Sequence, residues 1–449
     1  MNTISTQTKR IIRDLGDGLI LRHGVPSDGE ALALFNGEQH AEGGLASRDG
    51  QGLAAMTRDL FTRPHMSLTP EHFTIVEESS SGRIVSAMCL IEQTWMYEGI
   101  EFGMGRPEYV ATHPAFRGRG LIRAQFDVVH QWSLERGLMV QGITGIPYFY
   151  RQFGYEFALD LGGRRFGSQV PKLKDGETEK FHMRPAEEND IPFMMSVYEY
   201  ARKRSMVSAN WPQVHWHNNL YEMSRDNIQY LDFRIIEHVD SHEPVGYLAL
   251  ASQLGRTGVN MFHYELMPGI SWLEVTPGVV RYLWNIGQEY AQAENRPCTS
   301  FGFILGAQHP AYLAMGEGLP QVHDPYAWYL RVPDLVGFLN HVKSVLEKRL
   351  AESIACGHGG ELLIGMYPKG IKLILERGRI ASIESWKPDH ADHGNAGFPA
   401  LTFLQILFGY RSFEELKYAF PDCWWDNDQT RALINALFPK KNSNAYGIV

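Results

Sequence analysis

The sequence predicts a multidomain α/β protein of the α+β kind, built from two related mixed-sheet units and a third unit of different pattern. Three observations lead there. Between Tyr109 and Tyr155 an apolar strand, a glycine turn, a long helix and a second strand follow one another. Features of the first 160 residues recur at a nearly constant offset further along the chain. The last third changes to a helix, three short strands and two more helices. A length of 449 residues fits about three domains, and 44% apolar with 12% aromatic residues is enough to fill their cores. The expected domains are 1–160, 161–325 and 326–449.

In the first unit, Leu21-Arg22-His23 leads to Ser27-Asp28 and then to apolar residues at Ala31, Leu32, Leu34 and Phe35, spaced as on one face of a helix. Asp28 is placed to cap that helix. Tyr109, Val110 and Ala111 form a strand, and Arg117-Gly118-Arg119-Gly120 opens a helix running to about Arg136. The first turn of a helix has unpaired N–H groups, so an anion is the natural occupant of that end. Glycine lets the backbone take unusual dihedrals close to a ligand, and arginine offers forked donors suited to phosphate oxygens. The alternative is an ordinary basic turn at a helix start, because short glycine motifs match by chance.

The second unit repeats parts of this pattern. Met183-Arg184-Pro185 leads to Asn189-Asp190 and a helix pattern at Ile191, Phe193, Met194 and Val197, with Arg184 lying 162 residues after Arg22. Ala111-Thr112-His113-Pro114 is matched by Val275-Thr276-Pro277, the prolines being 163 apart. On this pairing Pro277-Gly278-Val279-Val280-Arg281 replaces the two-arginine turn, so the second unit is expected to have lost its phosphate cradle. Its late segment, His309 to Pro320, retains one tyrosine, Tyr312. In the last third, Tyr326 to Val332 precedes a helix pattern from Leu335 to Leu346. ELLIGMY, IKLILERG and RIASIESW then read as strands, and Phe398–Phe408 and Ser412–Phe420 as helices.

The run Val110–Ile122, followed by Tyr150, Phe153, Gly154 and Tyr155, resembles the acetyl-CoA site of the GNAT acyltransferase superfamily. The family pattern is Arg or Gln, two variable residues, Gly, one variable residue, then Gly or Ala. Arg117 and Gly120 match it and Ile122 departs from it. A bulky residue there is similar to the enhanced intracellular survival (Eis) branch, whose Tyr-x-Arg-Phe-Gly-Tyr segment corresponds to Tyr150-Arg151-Gln152-Phe153-Gly154-Tyr155, with Gln152 in place of the arginine. LTFLQILFGYRSFEEL resembles the sterol-carrier-like domain that ends Eis proteins.

The resemblance implies tandem GNAT-like domains, the second degenerate, followed by a sterol-carrier-protein-like domain, assembled as a homo-oligomer and usually a hexamer. It implies acetyl-CoA as cosubstrate. Val110, Ala111 and Thr112 would meet the pantetheine arm; Arg117, Gly118, Arg119, Gly120, Leu121, Ile122 and Arg123 would line the pyrophosphate; Gly145 and Ile146 would supply the next strand's contact. Tyr150 matches the general acid that protonates the departing thiolate, although packing with Phe149 and Phe153 is its alternative role. The terminal carboxylate, here Val449, corresponds to the base, against the general tendency of chain ends to fray.

Composition bounds the partners. A formal charge of −9 argues against nucleic-acid binding and suits a cationic or amine-bearing acceptor; the resemblance implies a small-molecule amine, aminoglycoside-like or polyamine-like, or a protein lysine. Cys89, Cys298, Cys356 and Cys423 are too few and scattered for a disulfide framework. No His, Asp or Glu spacing suggests zinc, so no metal is expected. His113 reads as a turn residue and His130 as part of an amphipathic helix. The amino terminus lacks the apolar centre of a signal peptide and no run approaches a membrane helix, so a cytoplasmic protein without membrane contact is expected. Two functions remain open, an acetyl-CoA-dependent N-acetyltransferase and a noncatalytic CoA- or lipid-binding scaffold.

Overall fold

The structure, a computed structural model, describes residues 9–62 and 68–446. A nine-stranded sheet organises the first unit. Its strands β1 (Ile11–Gly16), β2 (Leu19–His23), β3 (Phe73–Glu78), β4 (Arg83–Tyr97) and β5 (Ile100–Thr112) run antiparallel in sequence order. Helices α1 (Gly29–His40) and α2 (Arg48–Thr62) separate β2 from β3, and α3 (Leu121–Glu135) connects β5 to β6 (Val140–Ile143). Leu121, Phe126, Val128, Val129 and Trp132 form the buried stripe of α3 and pack against Val85, Met88 and Leu90 of β4.

β5 and β6 are parallel but hydrogen-bond only at Met104 with Val140 and Gly105 with Gln141. Beyond that point they part, and β5 carries a bulge. Cys89 faces Glu108 while Ala87 faces Ala111, which leaves one extra residue on β5, and Tyr109 there takes a left-handed φ of 56°. The wedge between the two strands is where the site lies.

The sheet is completed in an unexpected way. The strand after β6 is Tyr326–Arg331, which pairs antiparallel with β6 on one side and with β7 (Glu156–Leu161) on the other. The stretch expected to open the third domain is thus a structural strand of the first. The second, seven-stranded sheet mirrors this, since Arg164–Gly167 sits between Ser300–Phe303 and Gln321–His323. Each sheet therefore borrows its strand next to the splayed position from a segment that directly adjoins the other sheet in sequence. Backbone pairing with both neighbours decides this, and a strand's partners cannot be read from its own pattern.

The duplication is visible in one ion-pair network. Arg22, 1% exposed, bonds Asp28 through both terminal nitrogens (2.7 and 2.8 Å) and Glu77 through Nε and Nη2 (2.8 and 2.6 Å). Arg184 does the same with Asp190 (2.6 and 2.8 Å) and Glu237 (2.6 Å). Asp28 is not the side-chain cap that its position suggested. Its carboxylate turns back to Arg22 and to the N–H of Val25, as that of Asp190 turns to Arg184 and Glu187. The second sequence match does not survive. Val275, Thr276 and Pro277 lie inside the helix Trp272–Glu294, whereas Ala111–Pro114 ends a strand and begins a turn. The segment joining strand and helix in the second unit is Met267–Ser271. Pro277 is the sixth residue of that helix, so a shared proline does not align the two turns.

The third sheet has five strands, with Arg379–Trp386, Lys369–Glu376 and Gly360–Met366 as an antiparallel meander extended by Ala396–Gly397 and Trp424–Trp425. Phe403, Ile406, Phe408 and Phe413 bury themselves in a core that also contains Trp95, Tyr97 and Trp328 of the first sheet, so the last unit is packed onto the first. No helix among the described residues is long and apolar enough to cross a membrane.

Removing one partner of a buried charge cluster is more damaging than removing an exposed one. Arg22→Leu strands the Asp28 carboxylate and leaves Glu77 to Lys9, and is expected to cost about 3–5 kcal/mol in urea unfolding. Arg184→Leu, whose parent side chain is 32% exposed, should cost clearly less; equal losses would contradict the difference in burial.

Candidate active site

A cavity of about 820 Å³ opens between the diverging ends of β5 and β6. Val110, Ala111 and Thr112 form one wall, Thr144, Gly145 and Ile146 the other, and Arg117, Gly118, Gly120, Leu121, Ile122 and Arg123 close one end. Tyr150 and Phe149 line it as well. Twelve of the residues singled out in the sequence are gathered here. Arg119 is not among the lining residues; its guanidinium lies 5.1 Å from the Phe116 ring. Val449 lies outside the described residues.

The turn earns its glycines through dihedral angles. Gly118 has φ 78° and Gly120, the residue before α3, φ 74°, values that any side chain would strain. Nothing crowds either position. Ala124 N–H is already bonded to the Gly120 carbonyl, while the N–H groups of Leu121, Ile122 and Arg123 belong to the first turn, where no carbonyl precedes them in the helix. Together with the macrodipole of a fifteen-residue helix they make a site for a phosphate-like anion. Arg117 is extended, with its Nε 3.3 Å from the Thr112 carbonyl, and is exposed.

The departure at Gln152 has a local reason. Arg123 Nη2 donates to Gln152 Oε1 at 2.8 Å and its guanidinium lies 5.0 Å from the Phe153 ring. An arginine at 152 would set two cations against each other there; glutamine accepts instead.

Tyr150 lies in a short 3-10 turn, Phe149–Phe153, and is 4% exposed. Phe126, Phe149, Tyr155 and Tyr329 surround its ring at centroid distances of 5.2–6.4 Å. Burial raises its pKa well above that of a free phenol, and the charge of Glu108 adds to this, so the hydroxyl stays protonated. Its oxygen faces Gly145, where φ is 129° and an added Cβ would stand 3.2 Å from it. Two tyrosines of the borrowed strand hold this segment. Tyr148 N–H donates to Tyr329 Oη at 2.8 Å, and Tyr326 O–H donates to the Gly145 carbonyl at 2.5 Å. Tyr155 Oη and His130 Nε2 are 2.9 Å apart, and burial, with Arg331 nearby, lowers His130 to about 3.

The second unit holds a contrasting tyrosine. Tyr312 occupies the corresponding place after Ser300–Phe303, but its hydroxyl accepts from Leu305 N–H (3.2 Å) and lies within hydrogen-bond distance of the Gly306 (3.0 Å) and Phe303 (3.2 Å) carbonyls. That oxygen is engaged by the backbone of its own unit.

Several lining residues were not anticipated. Glu108 stands two positions before Val110, and the period of a strand would have put it on the same face. It is bridged to Arg106 at 2.6 Å. Gln39 and His40, at the end of α1, arrive through tertiary packing and leave no signal in the sequence.

Residues 57–158 match the acetyltransferase (GNAT) domain family, so the chain contains a GNAT acetyltransferase domain. By class it is an acyltransferase, and such domains use an acyl-CoA donor. No curated protein matches the sequence. Among solved structures, the chain is similar to a GCN5-related N-acetyltransferase from Kribbella flavida (14% identity, TM-score 0.59, 96% of this chain and 98% of that one). It is also similar to one from Anabaena variabilis (12%, 0.61, 95% and 99%) and to Eis1 from Mycobacterium abscessus (11%, 0.56, 96% and 99%). At these identities what is shared is the fold, and it is shared over nearly the full length.

Gly145→Ala forces a side chain into a left-handed position against Tyr150. It is expected to destabilise the protein by about 1 kcal/mol or somewhat more and to weaken CoA binding measured by calorimetry. Unchanged binding would remove Gly145 from the cofactor wall.

Proposed function

We propose that the chain is an acetyl-CoA-dependent N-acetyltransferase that acetylates an amine of a small molecule, aminoglycoside-like or polyamine-like, or a protein lysine. The supporting observation is that one cavity joins an anion-binding helix start, a strand wedge wide enough for an extended thiol arm, and the hydroxyl of Tyr150. In this reading the pyrophosphate rests on Gly118–Arg123, pantetheine runs between Val110–Thr112 and Gly145–Ile146, and the thioester carbon lies near Tyr150. The amine nitrogen attacks that carbon and forms the C–N bond; the C–S bond breaks, and the Tyr150 hydroxyl delivers its proton to the leaving sulfur. The proton lost by the amine goes to a carboxylate.

Two carboxylates suit that last step. Glu108 lies in the cavity wall and gives it negative charge facing a cationic acceptor. The terminal carboxylate of Val449 is the other. The described tail follows Val207–Ala209 and ends at Tyr446, packed 5.1 Å from the His263 ring and 6.1 Å from Trp211. Burial raises the Tyr446 pKa and the nearby Arg106 charge opposes this; Arg106 is the partner of Glu108.

The rest of the reading rests on the resemblance and on composition: a catalytic domain 1–160 completed by the strand Tyr326–Arg331, a degenerate one 161–325, a sterol-carrier-like module formed by the rest of 326–449 and serving for packing, a hexamer, and a cytoplasmic location.

Release of CoA thiol from acetyl-CoA, measured across a panel of polyamines, aminoglycosides and lysine peptides, tests the activity; tight acetyl-CoA binding with no turnover would favour the scaffold reading instead. Tyr150→Phe is expected to lower kcat by about 10²- to 10⁴-fold with CoA affinity nearly unchanged, and full activity would exclude the general acid. Deleting residues 447–449 should lower kcat in the same assay without altering CoA affinity if Val449 is the base, whereas loss confined to Glu108→Gln assigns the step to Glu108.

A further inference from the structure

We propose that His182, Glu237 and His242 form a site for a divalent transition metal of the zinc class on the outer edge of the second sheet. One nitrogen of each histidine and one oxygen of the glutamate lie within 4.8 Å of one another, and His182 Nε2 is 3.2 Å from Glu237 Oε2. Two imidazoles and a carboxylate are a donor set that zinc accepts, and its bonds of about 2.0–2.1 Å place tetrahedral ligand atoms about 3.3 Å apart. The pair on the strands is already at that spacing. His242 stands in the exposed turn after Leu231–His238, with φ 56°, its ring centroid 5.8 Å from that of His182.

The first unit supplies the second argument. There Glu77 faces Ile20 across the ladder, and Lys9 Nζ sits 2.7 Å from Glu77 Oε2. In the second unit Glu237 faces His182. Lys9 and Arg22 both hold Glu77, whereas Glu237 is held by Arg184 and, at 3.2 Å, by His182. Among the described residues no lysine takes the place of Lys9 there, and the two imidazoles gather at that position instead. A metal ion held by them would supply the charge that Lys9 supplies in the first unit. Arg184 Nε holds Glu237 Oε1 at 2.6 Å, which fixes the carboxylate with Oε2 toward the histidines, as an outer partner of a ligand does. The ion ties the edge strand Phe181–Pro185 to its neighbour and to the turn, so its role is to fasten that edge. No spacing along the chain points to the site, because His182 and Glu237 are far apart in sequence.

The test uses the full chain stripped with a chelator and titrated with Zn²⁺ by calorimetry, and with Co²⁺ by visible absorption. One tight equivalent and the absorption of tetrahedral Co²⁺ are expected. His182→Gln/His242→Asn, chosen because asparagine tolerates a left-handed φ, should lose that equivalent and the rise in melting temperature that Zn²⁺ gives the parent. CoA binding by the variant reports that it is folded. Identical isotherms for parent and variant, or no tight equivalent in the parent, overturn the proposal.

Discussion

The architecture depends on a reciprocal exchange of strands. Tyr326–Arg331 returns after the whole second unit to fill the gap between β6 and β7, and Arg164–Gly167 leaves the first unit to take the matching place in the second sheet. Each sheet takes in a strand that adjoins the other in sequence, and Val207–Ala209 of the second unit pairs antiparallel with β4 of the first, so main-chain hydrogen bonds join the two units and their loss would expose unpaired polar groups. The exchange also builds the site. The hydroxyls of Tyr326 and Tyr329 fasten Gly145 and Tyr148, the residues that set where Tyr150 stands.

The two units have kept the same foundation and diverged in what stands on it. Arg22 and Arg184 each gather an aspartate and a glutamate from equivalent positions, fixing the first helix against the sheet. At the splayed strands they differ. In the first unit Tyr150 lines an open cavity, while in the second Tyr312 is bound to the backbone around Leu305 and Gly306. A hydroxyl satisfied by its own fold has no proton to lend, and an open wedge admits a ligand. This asymmetry is the physical basis for placing acyl transfer in the first unit.

Both signs of charge line the cavity. The N–H groups at the start of α3 stand beside Arg117 and Arg123, and the wall also carries Glu108, which is paired with Arg106. Burial keeps the Tyr150 phenol protonated.

The sequence by itself determined the local pieces. The glycines at 118 and 120 were legible because only glycine takes those dihedrals freely; α3 and the three-stranded meander from Gly360 to Trp386 followed from apolar spacing; the segment around Tyr150 could be read from adjacent residues. Tertiary structure decided the rest. Asp28 looked like a cap, but a buried arginine outbid the helix N–H groups for its carboxylate. The Pro277 match failed because the residues around it fold as the interior of a long helix, which a short shared tripeptide does not reveal. The borrowed strand, the arrival of His40 and Gln39 at the cavity, and the pairing of His182 with Glu237 depend on contacts between distant segments, and hydrophobic periodicity specifies which face a residue occupies without naming what will lie against it.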